Sequence, residues 1–290
     1  MLEEIVELGF RRVEIGYDLT LDLVPGVLSL VRDKTVRVES LHNFCPVPVG
    51  APHPHPELYL LAAEDPRVRE SAVQHTLKTI EFAAETGARR VVTHAGYVDV
   101  RRHTHDLIQL CEQGRQYDSR FEKMKVQLML QRDKKAGRFI ELLSRSLEEL
   151  QPALRDAGVA LALENLPAWE AVPCESEVQA LCERFGHETV CYWHDFGHGQ
   201  IRQELGFIGH RRWLEKLAFW TGGYHIHDAA SAWADHLMPP DGKIDFADLK
   251  PLVRTDVPLV MEPAPDTPPD AVRRGAEFIC DAWDLNNNET

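Results

Sequence analysis

No apolar run in this 290-residue sequence approaches the roughly 20 residues that a membrane-spanning helix needs, so no membrane association is expected. The opening Met1-Leu2-Glu3-Glu4 is acidic and lacks the pattern of a secretory signal. Cys-x-x-Cys pairs are absent as well. The six cysteines, at 45, 111, 174, 182, 191 and 280, therefore read as reduced thiols of a cytoplasmic protein, mostly small buried hydrophobes. Cys45 stands apart because it follows a candidate site loop. Basic residues are in deficit, 32 against 46 acidic ones, giving a net charge of −14. That argues against nucleic acid as a partner, because such binding rests on neutralising phosphates with Lys and Arg. What is present is ordinary: 44% hydrophobic and 27% charged residues, in a length that one large α/β core can fill.

Helical and strand periodicities alternate along the chain. Helical spacing over residues 2–8 stops at Gly9, and 12–17 reads as a strand. A short helix over 21–33 precedes a strand over 36–41, which empties into His42-Asn43-Phe44-Cys45-Pro46. The Pro- and His-rich stretch 47–56 is a loop. An amphipathic helix over 67–85 leads to a strand over 90–93. Residues 97–130 form a highly charged insertion of weak helical character, and a strong helix covers 132–156. The continuously apolar run 159–163 is a strand buried on both faces. After a helix over 175–185, the run 189–192 passes into Trp193-His194-Asp195-Phe196-Gly197-His198, a strand running into a loop. Helices over 207–217, 246–252 and 269–284 separate two further strand ends, 223–228 and 258–261.

Strand alternating with helix to this length favours a (β/α)₈ barrel over a doubly wound sheet. Seven strands can be counted and the chain opens on a helix, so the barrel is expected to lack its first strand. One domain spans 1–285, and 286–290 is a frayed tail.

Barrel chemistry sits at the C-terminal ends of the strands. His42, His94, Glu164, Asp195 with His198, His225 and Glu262 stand there. Singly, each has a bland account: a histidine bonded within a loop, or Glu164 capping the next helix. A sheet has no structural reason to place ionisable groups at six successive strand ends. Two glutamates, an aspartate and a histidine form a donor set suited to Mn²⁺, Mg²⁺, Co²⁺ or Zn²⁺.

Leu2-Glu3-Glu4, Leu8-Gly9-Phe10, Val13-Glu14, Leu161-Ala162-Leu163-Glu164-Asn165, Asp195-Phe196-Gly197-His198, His225-Ile226-His227-Asp228 and Met261-Glu262-Pro263 together resemble the xylose-isomerase-like barrel superfamily. That group includes sugar-phosphate isomerases and epimerases, and the endonuclease IV type of apurinic endonuclease. The resemblance spans nearly the whole chain. It implies a divalent metal held by Glu164, Asp195, His225 and Glu262, with Glu164 and Glu262 as acid and base on opposite faces of a substrate carbon, and His198 against substrate oxygens. His225 and His227 point to the same side of a strand. His225 is preferred as ligand because it keeps the His-x-x-Asp spacing to Asp228.

The expected function is a metal-dependent isomerase or epimerase of a sugar or sugar phosphate, acting by proton transfer beside a metal-chelated carbonyl. Endonuclease IV relatives, which are zinc phosphodiesterases acting on abasic DNA, hold three zinc ions. For that alternative His42, His94, His198, Asp235 and His236 stand at roughly matching positions, and with His227 they are the candidates for additional metal or substrate contacts. A degenerate barrel with a binding function only is the third reading. The ketose-epimerase branch carries an arginine a few residues after the metal histidine, where this chain has Ser231, so one family contact to substrate is missing. Trp169 and Trp233 are candidate substrate covers. His53 and His55 read as a lid loop, Trp193 as core, Lys243 as solvated, and Arg101-Arg102-His103 as a solvated loop. A homo-oligomer is compatible with all three functions. The choice of sugar lies in the loops 47–56 and 97–130.

Overall fold

The computed structural model describes residues 2–285, so the tail expected at 286–290 lies outside the described residues. Its strands in chain order are β1 (Arg12–Ile15), β2 (Arg37–His42), β3 (Arg90–Thr93), β4 (Gly96–Tyr97), β5 (Ala160–Glu164), β6 (Ala171–Val172), β7 (Val190–Asp195), β8 (Thr221–Ile226) and β9 (Leu259–Met261). Seven of them pair in parallel in the order β1-β2-β3-β5-β7-β8-β9, while β4 and β6 form a separate antiparallel ribbon. The sequential order and the intervening helices make this a (β/α) barrel of seven strands. Among the described residues no strand pairs with the outer edge of β1 or of β9. The two edges instead line a cavity of about 290 Å³, with Val13, Glu14, Leu259 and Met261 among its walls. No helix of the described residues is long and apolar enough to cross a membrane.

Local signals set most helix ends. The helix Pro66–Thr86 opens on Asp65, whose carboxylate accepts from the Arg67 N–H, and stops at Gly87, which takes a left-handed φ of 79°. Two expectations need correcting. The strong helix begins at Ser119, not 132, and runs 39 residues to Ala157. Its first three turns look charged because they bury only Phe121 and Leu128, against a small cluster of Leu107, Leu110 and Ile201. Nor is there a loop after Asp195: the helix Phe196–Glu204 starts at once, and Asp195 is its N-cap.

Period-2 alternation sorts each strand into two faces. Outward residues such as Leu41, Val91, Leu161 and Leu163 pack with Ile80, Phe139, Leu147 and Leu150 from the helices. Inward residues Val92, Ala160, Ala162, Cys191 and Trp193 form a second cluster inside the barrel. Trp193 fills that interior. It fits because Gly223 on the next strand has no side chain: a Cβ there would lie 2.1 Å from the indole.

Candidate metal centre

The same alternation carries the inward face to the strand ends. His94 follows Val92 by two residues, Glu164 follows Ala162, Asp195 follows Trp193, His225 follows Gly223 and Glu262 follows Val260. A residue at each of those positions must point into the mouth of the barrel.

Glu164 is the hub. Its Oε2 lies 3.3 Å from His42 Nε2 and 3.2 Å from His94 Nε2, and its Oε1 lies 3.2 Å from His225 Nδ1. His225 Nδ1 is also 3.1 Å from Glu262 Oε2 and 3.9 Å from Asp195 Oδ2. Ligand atoms of Glu164, Asp195, His225 and Glu262 all fall within 4.8 Å of one another, as do those of His42, His94 and Glu164.

Two observations test whether a cation fits the four-residue group. Glu262 Oε2 is buried and accepts no hydrogen bond. Three carboxylate oxygens crowd one ring nitrogen of His225, and a single N–H can satisfy only one of them. A divalent cation would meet every oxygen and the nitrogen lone pair together, so this donor set fits Mn²⁺, Co²⁺, Mg²⁺ or Zn²⁺.

Proton affinities follow from the crowding. Burial alone would raise Glu164, but His225 and His94 beside it hold its carboxyl well below the usual range. Glu262 goes the other way: burial raises it, His225 pulls it back, and the charges of Asp195 and Glu164 add to the rise, leaving it above the usual carboxylate value. Burial opposes a charge on His94, yet Glu164 and Glu57 push its pKa up to about 9. Asp195 and Glu164 do the same for His198, also to about 9, against its burial.

His198, His227 and His236 form a third group of neighbours. His227 is spoken for at both ring nitrogens, however. Its Nδ1 accepts the backbone N–H of His236 at 2.9 Å, so the ring proton sits on Nε2, 3.0 Å from Asp195 Oδ2. A neutral imidazole so bonded has no lone pair left for a cation. His227 therefore holds Asp195 in place, and the backbone of Gly197 closes over its ring. His198 donates from Nδ1 to the Asn165 carbonyl at 3.0 Å.

Not every candidate is brought in. Asp235 belongs to none of the three groups. Trp169 stacks on Phe207, with ring centroids 4.8 Å apart, and lies within cation–π reach of Arg132 and Arg202. Trp233 is exposed. His53 and His55 lie edge to face on the exposed loop, and Lys243 is exposed too. Cys45 is buried, and burial pushes its thiol far up, which removes it as a nucleophile.

Several residues that hold the site were given no role from the sequence. Glu14 Oε1 lies 3.0 Å from His225 Nε2. Glu57 bonds His94 Nδ1 at 3.3 Å and accepts a hydrogen bond from the Tyr97 hydroxyl. Asn165 receives the Asp195 N–H and gives an N–H to the Asp195 carbonyl. Asp228 accepts from Ala229, Gly242 and Ile244 N–H groups, pinning the loop that carries His236. The Val13-Glu14 and Glu164-Asn165 pairs were visible as motif members, but nothing in their spacing names their partners.

Comparison with known proteins agrees with this architecture. A search of curated proteins finds an uncharacterized protein of Methanocaldococcus jannaschii, 22% identical over 249 residues, covering 85% of this chain and 78% of that one. Among solved structures, a D-tagatose 3-epimerase-like protein superposes with a TM-score of 0.69 at 18% identity, covering 99% of this chain and 94% of that one. The 3-keto-D-glucoside 4-epimerase of E. coli gives 0.66 at 16% identity, with coverages of 96% and 91%. These last two likenesses are of fold. The family model described as xylose isomerase-like TIM barrel matches residues 2–282, and the chain belongs to that family.

Proposed function

We propose that this chain is a divalent-metal-dependent isomerase or epimerase acting on a ketose or ketose phosphate. The observation that carries the reading is the group of Glu164, Asp195, His225 and Glu262, with its unbonded Glu262 oxygen, at the mouth of a barrel whose structural relatives include sugar epimerases. The metal, when bound, would supply Lewis acidity toward a carbonyl and an adjacent hydroxyl. The chain's own residues divide the proton work. Glu164 is ionised and accepts the proton from the carbon beside the carbonyl. Glu262 serves as the matching acid on the opposite face of that carbon. His198, anchored to Asn165, presents Nε2 to substrate oxygens. His42 and His94 hold Glu164 from the other side.

A second reading, a zinc phosphodiesterase of the endonuclease IV kind, is favoured by the extra His42, His94 and Glu164 group. Against it stand the occupied nitrogens of His227, the position of Asp235 outside every group, and the net charge of −14. Metal analysis of purified protein with a screen of ketoses and their phosphates decides. The proposal expects one or two ions per chain and interconversion of a ketose pair. Three zincs together with nicking of abasic DNA would establish the phosphodiesterase instead. Absence of metal at millimolar Mn²⁺ and Zn²⁺ would leave a barrel that only binds.

A further inference from the structure

We infer that Glu14 is a positioning residue for the metal centre: by accepting a hydrogen bond from His225 Nε2 it fixes the tautomer in which Nδ1 is free to bind the cation. The inference rests on the metal-dependent reading above and adds to it a residue from the strand at the other edge of the sheet.

An ionised carboxylate has no proton to give, so the 3.0 Å contact between Glu14 Oε1 and His225 Nε2 requires the proton on Nε2. In the neutral ring that a cation requires, Nδ1 then carries the lone pair, and it is the nitrogen that faces Glu164 Oε1, Glu262 Oε2 and Asp195 Oδ2 at 3.2, 3.1 and 3.9 Å. The opposite tautomer would set a lone pair on Nε2 against the Glu14 carboxylate and put the proton on the nitrogen that must face the cation. A carboxylate behind a ligating imidazole also raises the basicity of the ligating nitrogen and fixes the ring plane.

Glu14 is itself held. The pairing of β1 with β2 slips at Val13/Glu14, so that Glu14 stands opposite Ser40 rather than Glu39. Ser40 Oγ donates to Glu14 Oε2 at 2.5 Å. The ring of His225 is fixed on its other side by Trp193, edge to face at 5.2 Å. The neighbouring histidines show the same device with other acceptors: His94 uses Glu57, and His42 uses the Asn43 carbonyl at 3.1 Å. Glu14 differs in coming from an edge strand, β1, and reaching β8 past the open side of the sheet. A purely mechanical latch between those strands is the competing role.

The test measures Zn²⁺ affinity by chelator competition and the visible absorption of the Co²⁺-loaded protein, in wild type, Glu14→Ala and Glu14→Gln. Glu14→Ala is expected to weaken Zn²⁺ binding about 10- to 100-fold, the range typical of a lost outer-shell partner. Glu14→Gln keeps a neutral acceptor and should fall between Glu14→Ala and wild type, with a shifted Co²⁺ spectrum. If Glu14→Ala does not fold, Glu14→Gln alone carries the test. Variants that melt at lower temperature without metal but bind Zn²⁺ within twofold of wild type would show a latch and overturn the inference. A wild type that binds neither Zn²⁺ nor Co²⁺ would overturn the metal reading itself, and this inference with it.

Discussion

Removing the indole that fills the barrel interior should reveal a coupling across two strands. Trp193 is fully buried among Val92, Ala160, Ala162 and Cys191. Truncating it to Ala deletes a large side chain from a space that cannot collapse without closing the barrel, so Trp193→Ala should cost about 3–5 kcal/mol. For a chain of this length the entropy of unfolding is about 0.6 kcal/mol/K, so the melting temperature should fall by roughly 5–8 °C. Gly223→Ala alone should be destabilising for the opposite reason. Its new Cβ would lie 2.1, 2.4 and 2.7 Å from three indole carbons, and an overpacked core costs about 1–3 kcal/mol. In the double variant the added methyl enters the space the indole has left. The cost of Gly223→Ala should then vanish or change sign, giving a coupling of at least ~1 kcal/mol between the two sites. Urea unfolding of the four proteins, compared at constant m-value, measures it. Costs that add to within about 0.5 kcal/mol would refute the claim that Gly223 is required by the tryptophan.

Further expectations are more direct. Glu164→Gln should reduce turnover to background and lower the melting temperature of the metal-free protein, because it removes the buried charge that offsets His94 and His225; activity assays and calorimetry report the two halves separately. A divalent cation at a hundredfold excess over its dissociation constant should stabilise the protein by about 2.7 kcal/mol, or roughly 4 °C, and EDTA should reverse it. Glu177→Ala should destabilise by about 3 kcal/mol, because it strands the buried guanidinium of Arg132, which now bonds both Glu177 oxygens at 2.8 and 2.7 Å. Glu177 is held below the usual carboxylate range: burial opposes this, but Arg132 outweighs it. Its contribution is therefore present above the unfolded carboxylate value near 4.5 and is lost as pH falls through the lower folded value. The difference in stability between wild type and Glu177→Ala should shrink on acidification below that point; a constant difference would remove Glu177 from the account.

The strand ends were legible because a parallel barrel imposes one rule on all of them. A residue two places beyond an inward one must face the mouth, and ionisable residues recurring there have few other reasons to exist. What stayed hidden obeyed no local rule. Phe196-Gly197-His198-Gly199 has two glycines in its first turn and reads as a loop, yet it is helical, because Gly197 must pass close over the His227 ring and Asp195 caps the turn. The start of the long helix at Ser119 was masked by charges on a segment with a narrow buried face. Glu14 meets His225 across 211 positions of sequence, a distance at which spacing says nothing. For the tryptophans, aromatic identity does not specify whether a ring stacks on a sugar or, as Trp169 does, on Phe207.

The open side of the sheet gives the centre a mechanical neighbour. A strand paired on one side only is the first place where a barrel frays, with an opening free energy below that of global unfolding. Because Glu14 lies on such a strand and touches the imidazole of the proposed centre, opening of that edge and release of an ion bound there would be linked equilibria. Linkage is reciprocal: whatever free energy the intact edge lends to ion binding, the bound ion returns to the edge. Amide exchange along Arg12–Ile15 would therefore slow on loading by more than exchange in the fully paired β5, making the weakest seam of the fold a reporter on the occupancy of its mouth.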